Sequence, residues 1–237
     1  MSNKNIFVFG GTGSIGKSLS KKLKSNNYDP IIISRNKTEL KQLSEEIGCE
    51  YKVCDVLDFD KVKSISEEYK DRLCGIAFCV GSINLKPLKM TKDEDFIDSF
   101  KINTLSAVNA IKFNQETLAK NTGSILLYST IAVKQGFTNH TIVSTAKGAI
   151  EGLTLSLAAE FAPKIRVNCI APSLTNSKIS QPLLKNIIMA EGIAKAHPMK
   201  RIGEGKDVAA MAKFLLTEES SWITGQIIGV NGGRSSI

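Results

Sequence analysis

Ile6-Phe7-Val8-Phe9-Gly10-Gly11-Thr12-Gly13-Ser14-Ile15-Gly16 is the stretch whose reading decides the fold. Ile6 to Phe9 are all apolar and predict a short buried strand that runs straight into Gly10, Gly11, Gly13 and Gly16. After Gly16 the pattern is helical, with Leu19 and Leu23 on one face and Lys17, Lys21 and Lys22 on the other. A strand, a glycine turn and a helix in that order form the context in which a glycine motif holds a dinucleotide. Gly10 permits the tight turn, Gly13 lets backbone approach a pyrophosphate, and Gly16 lets the helix sit close to the strand. Thr12, Ser14 and Ile15 share the same cradle. The free N–H groups and the positive end of the helix dipole then face the phosphates.

Outward from this turn, strands and helices alternate. Strands are expected at Pro30 to Ser34, Tyr51 to Cys54, Gly75 to Val80, Ser124 to Ser129, Ile165 to Ile170 and Ile227 to Val230. Helices are expected at Lys37 to Ile47, around Val62, Ile65 and Tyr69, from Phe96 to Leu118, from Asn139 to Phe161 and from Lys206 to Leu216. With the first strand this makes seven, short and apolar on both faces, which implies an α/β fold. Its parallel sheet should be covered by helices on both faces. No linker, repeat or low-complexity tract divides residues 1–237, so one domain is expected. Within it, Ser173 to Pro198 is a lid candidate over a substrate pocket. Leu183, Leu184, Ile187, Ile188 and Met189 there suit either an apolar ligand or core packing.

The charge balance is 31 Lys+Arg against 23 Asp+Glu, net +8, but only five of the 31 are Arg and the lysines are scattered. Nucleic-acid readers concentrate charge and use arginine forks, so no nucleic-acid partner is expected. No apolar run approaches the length of a membrane span. Met1-Ser2-Asn3-Lys4-Asn5 leads directly into the first strand, so no signal peptide is expected. Five cysteines without a CxxC pair suit a reducing, cytoplasmic compartment. With only two histidines to accompany them, no metal site is expected.

The second strand ends in Ser34-Arg35-Asn36, with no carboxylate to take ribose hydroxyls. A carboxylate would repel a 2′-phosphate, whereas Arg35 can fork onto one and Ser34 can donate to it. The expected cofactor is therefore NADP(H) in preference to NAD(H). Asp55, followed by Val56, ends the third strand. It suits either the adenine amino group or a helix N-cap.

Further motifs fall in a recognisable order: Asp55-Val56, Asn103, Ser129-Thr130, Lys147 in Ala146-Lys147-Gly148-Ala149, Arg166-Val167-Asn168-Cys169-Ile170-Ala171-Pro172, Asp207-Val208-Ala209, Thr224-Gly225-Gln226 and Val230-Asn231-Gly232-Gly233. Together with the glycine turn they resemble the short-chain dehydrogenase/reductase family over nearly the full length. The resemblance implies a doubly wound Rossmann fold and hydride transfer between NAD(P) and a carbonyl or alcohol. It also implies four roles: a Ser that polarises the carbonyl, a Tyr that passes the proton, a Lys that binds the nicotinamide ribose and depresses the Tyr pKa, and an Asn that holds a water relay. Lys147 and Asn103 match, and Thr130 stands at the Ser position. Gly81 is what remains of the family's Asn-Asn-Ala-Gly, and Pro172-Ser173 replaces its Pro-Gly. The glycine spacing is that of the family's extended subgroup, while length and C-terminal motifs resemble the shorter one.

The Tyr position, four before Lys147, is Val143, which carries no proton. His140, two helical turns before Lys147, is one substitute and Ser144 is near the same face. A polar helix start with Asn139 as its cap is the preferred account of His140. His197, followed by Pro198, is expected in a loop, and Tyr128 is expected to pack against a helix. Three functions fit: an oxidoreductase using His140, Thr130 or a Lys147-held water as donor; hydride addition to an activated alkene; and a non-catalytic NADP(H) sensor or partner subunit. The resemblance further implies a dimer or tetramer formed through the two long helices, acting on a small-molecule substrate.

Overall fold

The computed structural model describes residues 4–237; Met1 to Asn3, the head of the segment expected to lead into the first strand, lie outside them. The elements run β1 (Asn5–Phe9), α1 (Ser14–Ser25), β2 (Asp29–Ser34), α2 (Lys37–Ile47), β3 (Glu50–Val53), α3 (Phe59–Glu68) and β4 (Leu73–Phe78). They continue with α4 (Asp93–Phe100), α5 (Ser106–Lys112), α6 (Gln115–Lys120), β5 (Ser124–Tyr128), α7 (Ala132–Gln135), α8 (Thr141–Phe161) and β6 (Arg166–Pro172). The chain closes with α9 (Gln181–Leu184), α10 (Ile187–Lys195), α11 (Gly205–Leu216) and β7 (Ile227–Val230).

The strands form one seven-stranded sheet in the order β3-β2-β1-β4-β5-β6-β7. Every strand pair is parallel. Alternation along each strand sorts side chains between two cores. Phe7 and Phe9 of β1 and Ile125 and Leu127 of β5 meet Val62, Ala107, Ala110 and Ile150 from α3, α5 and α8. Ile6, Val8, Leu126 and Tyr128 point the other way, onto Leu19 and Leu23 of α1 and Val208, Ala209 and Leu215 of α11. Tyr128 thus packs against a helix, as expected. On that side Leu40 and Leu43 of α2 cover Ile32.

Three local expectations are corrected. α1 begins at Ser14, so Gly16 lies inside the helix and meets the turn itself: a side chain there would strike the Gly10 carbonyl oxygen. The expected helix from Phe96 to Leu118 is broken into α4, a π-helical turn at Lys101–Leu105, α5 and α6. Its apolar spacing is compatible with one helix, but an extra residue per turn is set by packing that periodicity does not carry. Asn139 does not cap α8; it is left-handed at φ 68°, and His140 takes the cap position without a side-chain cap bond. Among the described residues no helix is long and apolar enough to cross a membrane.

The first turn of α11 rests on the first residue of α1, because a Cβ at Gly205 would overlap the Ser14 carbonyl. Gly205→Ala should therefore lower the unfolding free energy by about 1–3 kcal/mol, read from the denaturant midpoint, since neither backbone can move without parting the two helices.

Candidate active site

Between β1 and β4 the strand order reverses, and an open parallel sheet leaves a crevice at the carboxyl ends of its strands there. The glycine turn closes its floor. The N–H groups of Gly10 and Gly11 both donate to the Ile33 carbonyl, at 2.8 and 3.2 Å, and Cys79 N–H donates to the Phe9 carbonyl at 2.9 Å. Gly10 sits at φ 74°, with the Cys79 backbone 3.0 Å from where a Cβ would lie. α1 then starts at the crevice with Gly13 as N-cap, no side-chain cap bond and no acidic residue in its first turn. Its first N–H groups are left without a side-chain acceptor, which is the electrostatic provision an anion requires.

A cleft of about 690 Å³ opens over this floor. Gly10, Thr12, Gly13, Ser14, Ile15 and Gly16 line its middle. At one end stand Ser34, Arg35, Asp55 and Val56; at the other, Gly81, Thr130, His140, Lys147 and Pro172. The sequence-predicted residues therefore converge on one groove, apart from Asn103, which is absent from the cleft wall. Asn103 is fully buried one layer behind, in the π-helical turn. Its Oδ1 accepts from Ser82 N–H at 3.2 Å, and its Nδ2 donates to the Ser99 carbonyl at 2.9 Å and to Ser82 Oγ at 3.0 Å. A Cβ at Gly81 would stand 3.0 Å from that Oδ1 and 3.3 Å from Lys147 Nζ, so Gly81 is the point where the two side chains meet.

Lys147 is 8 % exposed, makes no ion pair among the described residues, and donates from Nζ to the Tyr128 carbonyl at 2.8 Å. Burial pulls its pKa down to about 8. Ser129 donates to Glu151 Oε1 at 2.6 Å, which commits it away from the reaction. Thr130 Oγ1 accepts from Ala132 N–H at 3.3 Å, leaving its own proton free to donate. The Tyr128 hydroxyl is buried without a hydrogen bond of good geometry, and burial holds its pKa well above 10, so it is a poor proton donor at neutral pH. Val143 lines the cleft at 5 % exposure. His140 Nδ1 lies 2.8 Å from the Thr138 carbonyl, with its ring 5.4 Å from that of Phe137. Ser144 is turned onto the Ala132 carbonyl at 3.2 Å.

At the Arg35 end, the guanidinium lies 3.8 Å from the Asp55 carboxylate, and Ser34 and Thr12 hydroxyls are 2.9 Å apart. The N-cap alternative for Asp55 is corrected: Asp58 caps α3, while Asp55 accepts from Leu57 N–H at 3.0 Å. Sequence reasoning missed Lys178, which reaches from the lid to Glu39 of α2 at 2.7 Å and lines the same end. It also missed His197. The loop placement of that residue holds, yet the imidazole is 2 % exposed and hydrogen-bonded to Ser173 at the cleft wall. No motif or periodicity flags either, because each pairs residues far apart in sequence. The lid's apolar stripe is not core: Ile187 and Ile188 are 72 % and 83 % exposed, while Leu183 and Ile193 face the cleft. No metal-binding cluster occurs among the described residues.

The buried Lys147 has a signed consequence for stability. Its pKa is lower folded than unfolded, so its charge is a penalty at full strength below pH 8. That penalty is relieved between about pH 8 and 10.5, where the unfolded chain binds the extra proton. The difference in unfolding free energy between the native protein and Lys147→Met should rise across that window by roughly 3 kcal/mol, measured on cofactor-free protein.

A family model described as enoyl-(acyl carrier protein) reductase matches residues 10–235. The chain is 32 % identical over 237 residues to the mouse (Mus musculus) 3-oxoacyl-[acyl-carrier-protein] reductase, covering 98 % of each. The solved structure of a short-chain type dehydrogenase/reductase from Mycobacterium ulcerans superposes at a TM-score of 0.92 with 25 % identity, covering 99 % of this chain and 90 % of that one. YwfH, an NADPH-dependent reductase involved in bacilysin biosynthesis, superposes at 0.93 with 26 % identity over 100 % of both chains. With an all-parallel sheet in this strand order and a cleft built at its reversal point, the chain belongs to the short-chain dehydrogenase/reductase family.

Proposed function

We propose that this protein is an NADP(H)-dependent oxidoreductase that moves a hydride to or from a carbonyl, alcohol or activated alkene, with a proton donor other than tyrosine. The observation that carries the reading is the uncapped start of α1 at the floor of a long cleft, with Arg35 at one end and a buried, uncompensated Lys147 at the other. The diphosphate would take the free N–H groups of Ser14, Ile15 and Gly16. Arg35 and Ser34, joined by Lys178, would hold a 2′-phosphate, and Asp55 with Val56 would border the adenine. Lys147 would bind the ribose next to the nicotinamide, and Pro172 would bound the ring. When bound, the reduced nicotinamide supplies a hydride. Thr130 donates a hydrogen bond to the substrate oxygen, and Asn103 holds Ser82 and hence the Gly81 loop against Lys147. His140 lines the same end of the cleft.

Ile83, Leu85, Ile102, Phe137, Leu183 and Ile193 line the same cleft. They favour a small, apolar, acyl-like substrate, in keeping with the name of the mouse relative. A second reading, a dinucleotide sensor or partner subunit without turnover, is favoured by Val143, which offers no proton where the family has a phenol. Self-association into a dimer or tetramer is proposed from Ile97, Phe100 and Leu155, apolar side chains left exposed on α4 and α8.

Fluorescence titration should give a lower dissociation constant for NADPH than for NADH, and Arg35→Ala should weaken NADPH by roughly 10- to 100-fold while leaving NADH nearly unchanged. Binding of neither nucleotide would end the reading; binding without consumption across ketones, aldehydes and enones would favour the sensor. Light scattering at micromolar concentration should return a dimer or tetramer mass.

A further inference from the structure

We propose that Ser173 and His197 form a proton relay that takes the place of the missing phenol, an inference that rests on the hydride-transfer reading above. Ser173 follows Pro172 at the end of β6, and His197 lies just beyond α10; 24 residues apart, they meet with Ser173 Oγ 2.7 Å from His197 Nε2. His197 Nδ1 lies 2.7 Å from the Ile193 carbonyl. A carbonyl can only accept, so Nδ1 carries the hydrogen. In the neutral ring Nε2 is then bare, and the Ser173 hydroxyl donates to it. This is a hydroxyl held by an imidazole whose far nitrogen is itself fixed, the arrangement that makes a serine proton mobile.

The pair also stands in a wall between two spaces. Ser173 and His197 line the large cleft together with Pro172, Thr130 and Lys147, and they line a separate cavity of about 50 Å³ bounded by Arg201, Asp207 and Asn231. That cavity is large enough for water. The charged groups that line these two spaces with the imidazole include Lys147 and Arg234 in the cleft, the latter donating from Nη1 to the Ala196 carbonyl, and the bidentate Arg201–Asp207 pair in the small cavity. His140 lines the same cleft, and α10 contributes the Ile193 carbonyl.

In the reduction direction the hydride forms a C–H bond at the carbonyl carbon and the C=O π pair moves to oxygen. The Ser173 O–H proton passes to that oxygen, and Ser173 recovers a proton from Nε2 of the imidazolium. His197 ends neutral and is recharged from water in the small cavity. Oxidation runs the same transfers backwards. Because reduction draws a proton from the relay and oxidation returns one, reduction should slow and oxidation should quicken as pH rises.

Ser173→Ala, Ser173→Thr, His197→Gln and His140→Gln would be compared for NADPH binding and for turnover of an acetoacetyl thioester, a medium-chain ketone and an enone. Ser173→Ala and His197→Gln should bind NADPH within about two-fold of the native protein yet lose at least ~100-fold in kcat for the carbonyl substrates. Ser173→Thr should recover most of the rate, and His197→Gln should flatten the pH profile where His140→Gln does not. With only two histidines in the chain, nitrogen NMR of the cofactor-free protein gives an independent readout. One imidazole should show a protonated Nδ1 and a bare Nε2 at high pH, and Ser173→Ala should move that Nε2 alone. A bare Nδ1, a pH profile that follows His140, unaltered turnover in Ser173→Ala, or a native protein that binds NADPH and reduces none of the carbonyls would overturn the relay. Failure of the native protein to bind NADPH would instead strike the hydride-transfer reading itself.

Discussion

The close seating of α1 on the glycine turn is the constraint from which the site follows. Helix backbone can meet turn backbone at Gly16 only because no side chain separates it from the Gly10 carbonyl. Two N–H bonds from Gly10 and Gly11 to Ile33 then tie the same turn to β2, and Cys79 N–H ties β4 to β1. The helix axis is thereby aimed at the carboxyl ends of the strands, where its unpaired N–H groups and dipole face open space. α11 locks this arrangement from outside, through Gly205 on Ser14.

The electrostatics of the cleft divide between its ends. At the Arg35 end the charges are exposed and balanced, Arg35 beside Asp55 and Lys178 on Glu39, so each pair alone is worth little in water. At the Lys147 end a cation is buried with a carbonyl for company and no counter-charge paired to it among the described residues, and its lowered pKa expresses that cost. A fold that retains such a cation stores affinity for polar or anionic ligand groups at this point. The neighbouring thiols contribute nothing at neutral pH, because burial raises Cys79 and Cys169 to about 12.

The sheet was legible because its strands are short apolar runs bounded by glycine, proline and charged residues, and α2 and β7 fall at their expected ends. The helix from Phe96 to Leu118 was not. Its apolar spacing is continuous, and the π-helical turn arises where Asn103 reaches Ser82 across the fold. The glycine-turn residues, Arg35 and Lys147 could be placed from local pattern or family resemblance. Lys178 and His197 could not, since their partners Glu39 and Ser173 lie 139 and 24 residues away.

By itself the sequence determined which segments are strands, that the strands are parallel and doubly covered, that a glycine turn joins the first strand to a helix, and that position 143 holds no ionisable group. These depend on side-chain size, polarity and spacing along one segment at a time. Only the tertiary structure decided that Asn103 stands behind the cleft wall, that the lid leaves Ile187 and Ile188 in solvent, and that Ser173 meets His197 between two cavities. The physical reason is that those facts concern distances between segments, which packing of the two cores sets and no local pattern encodes.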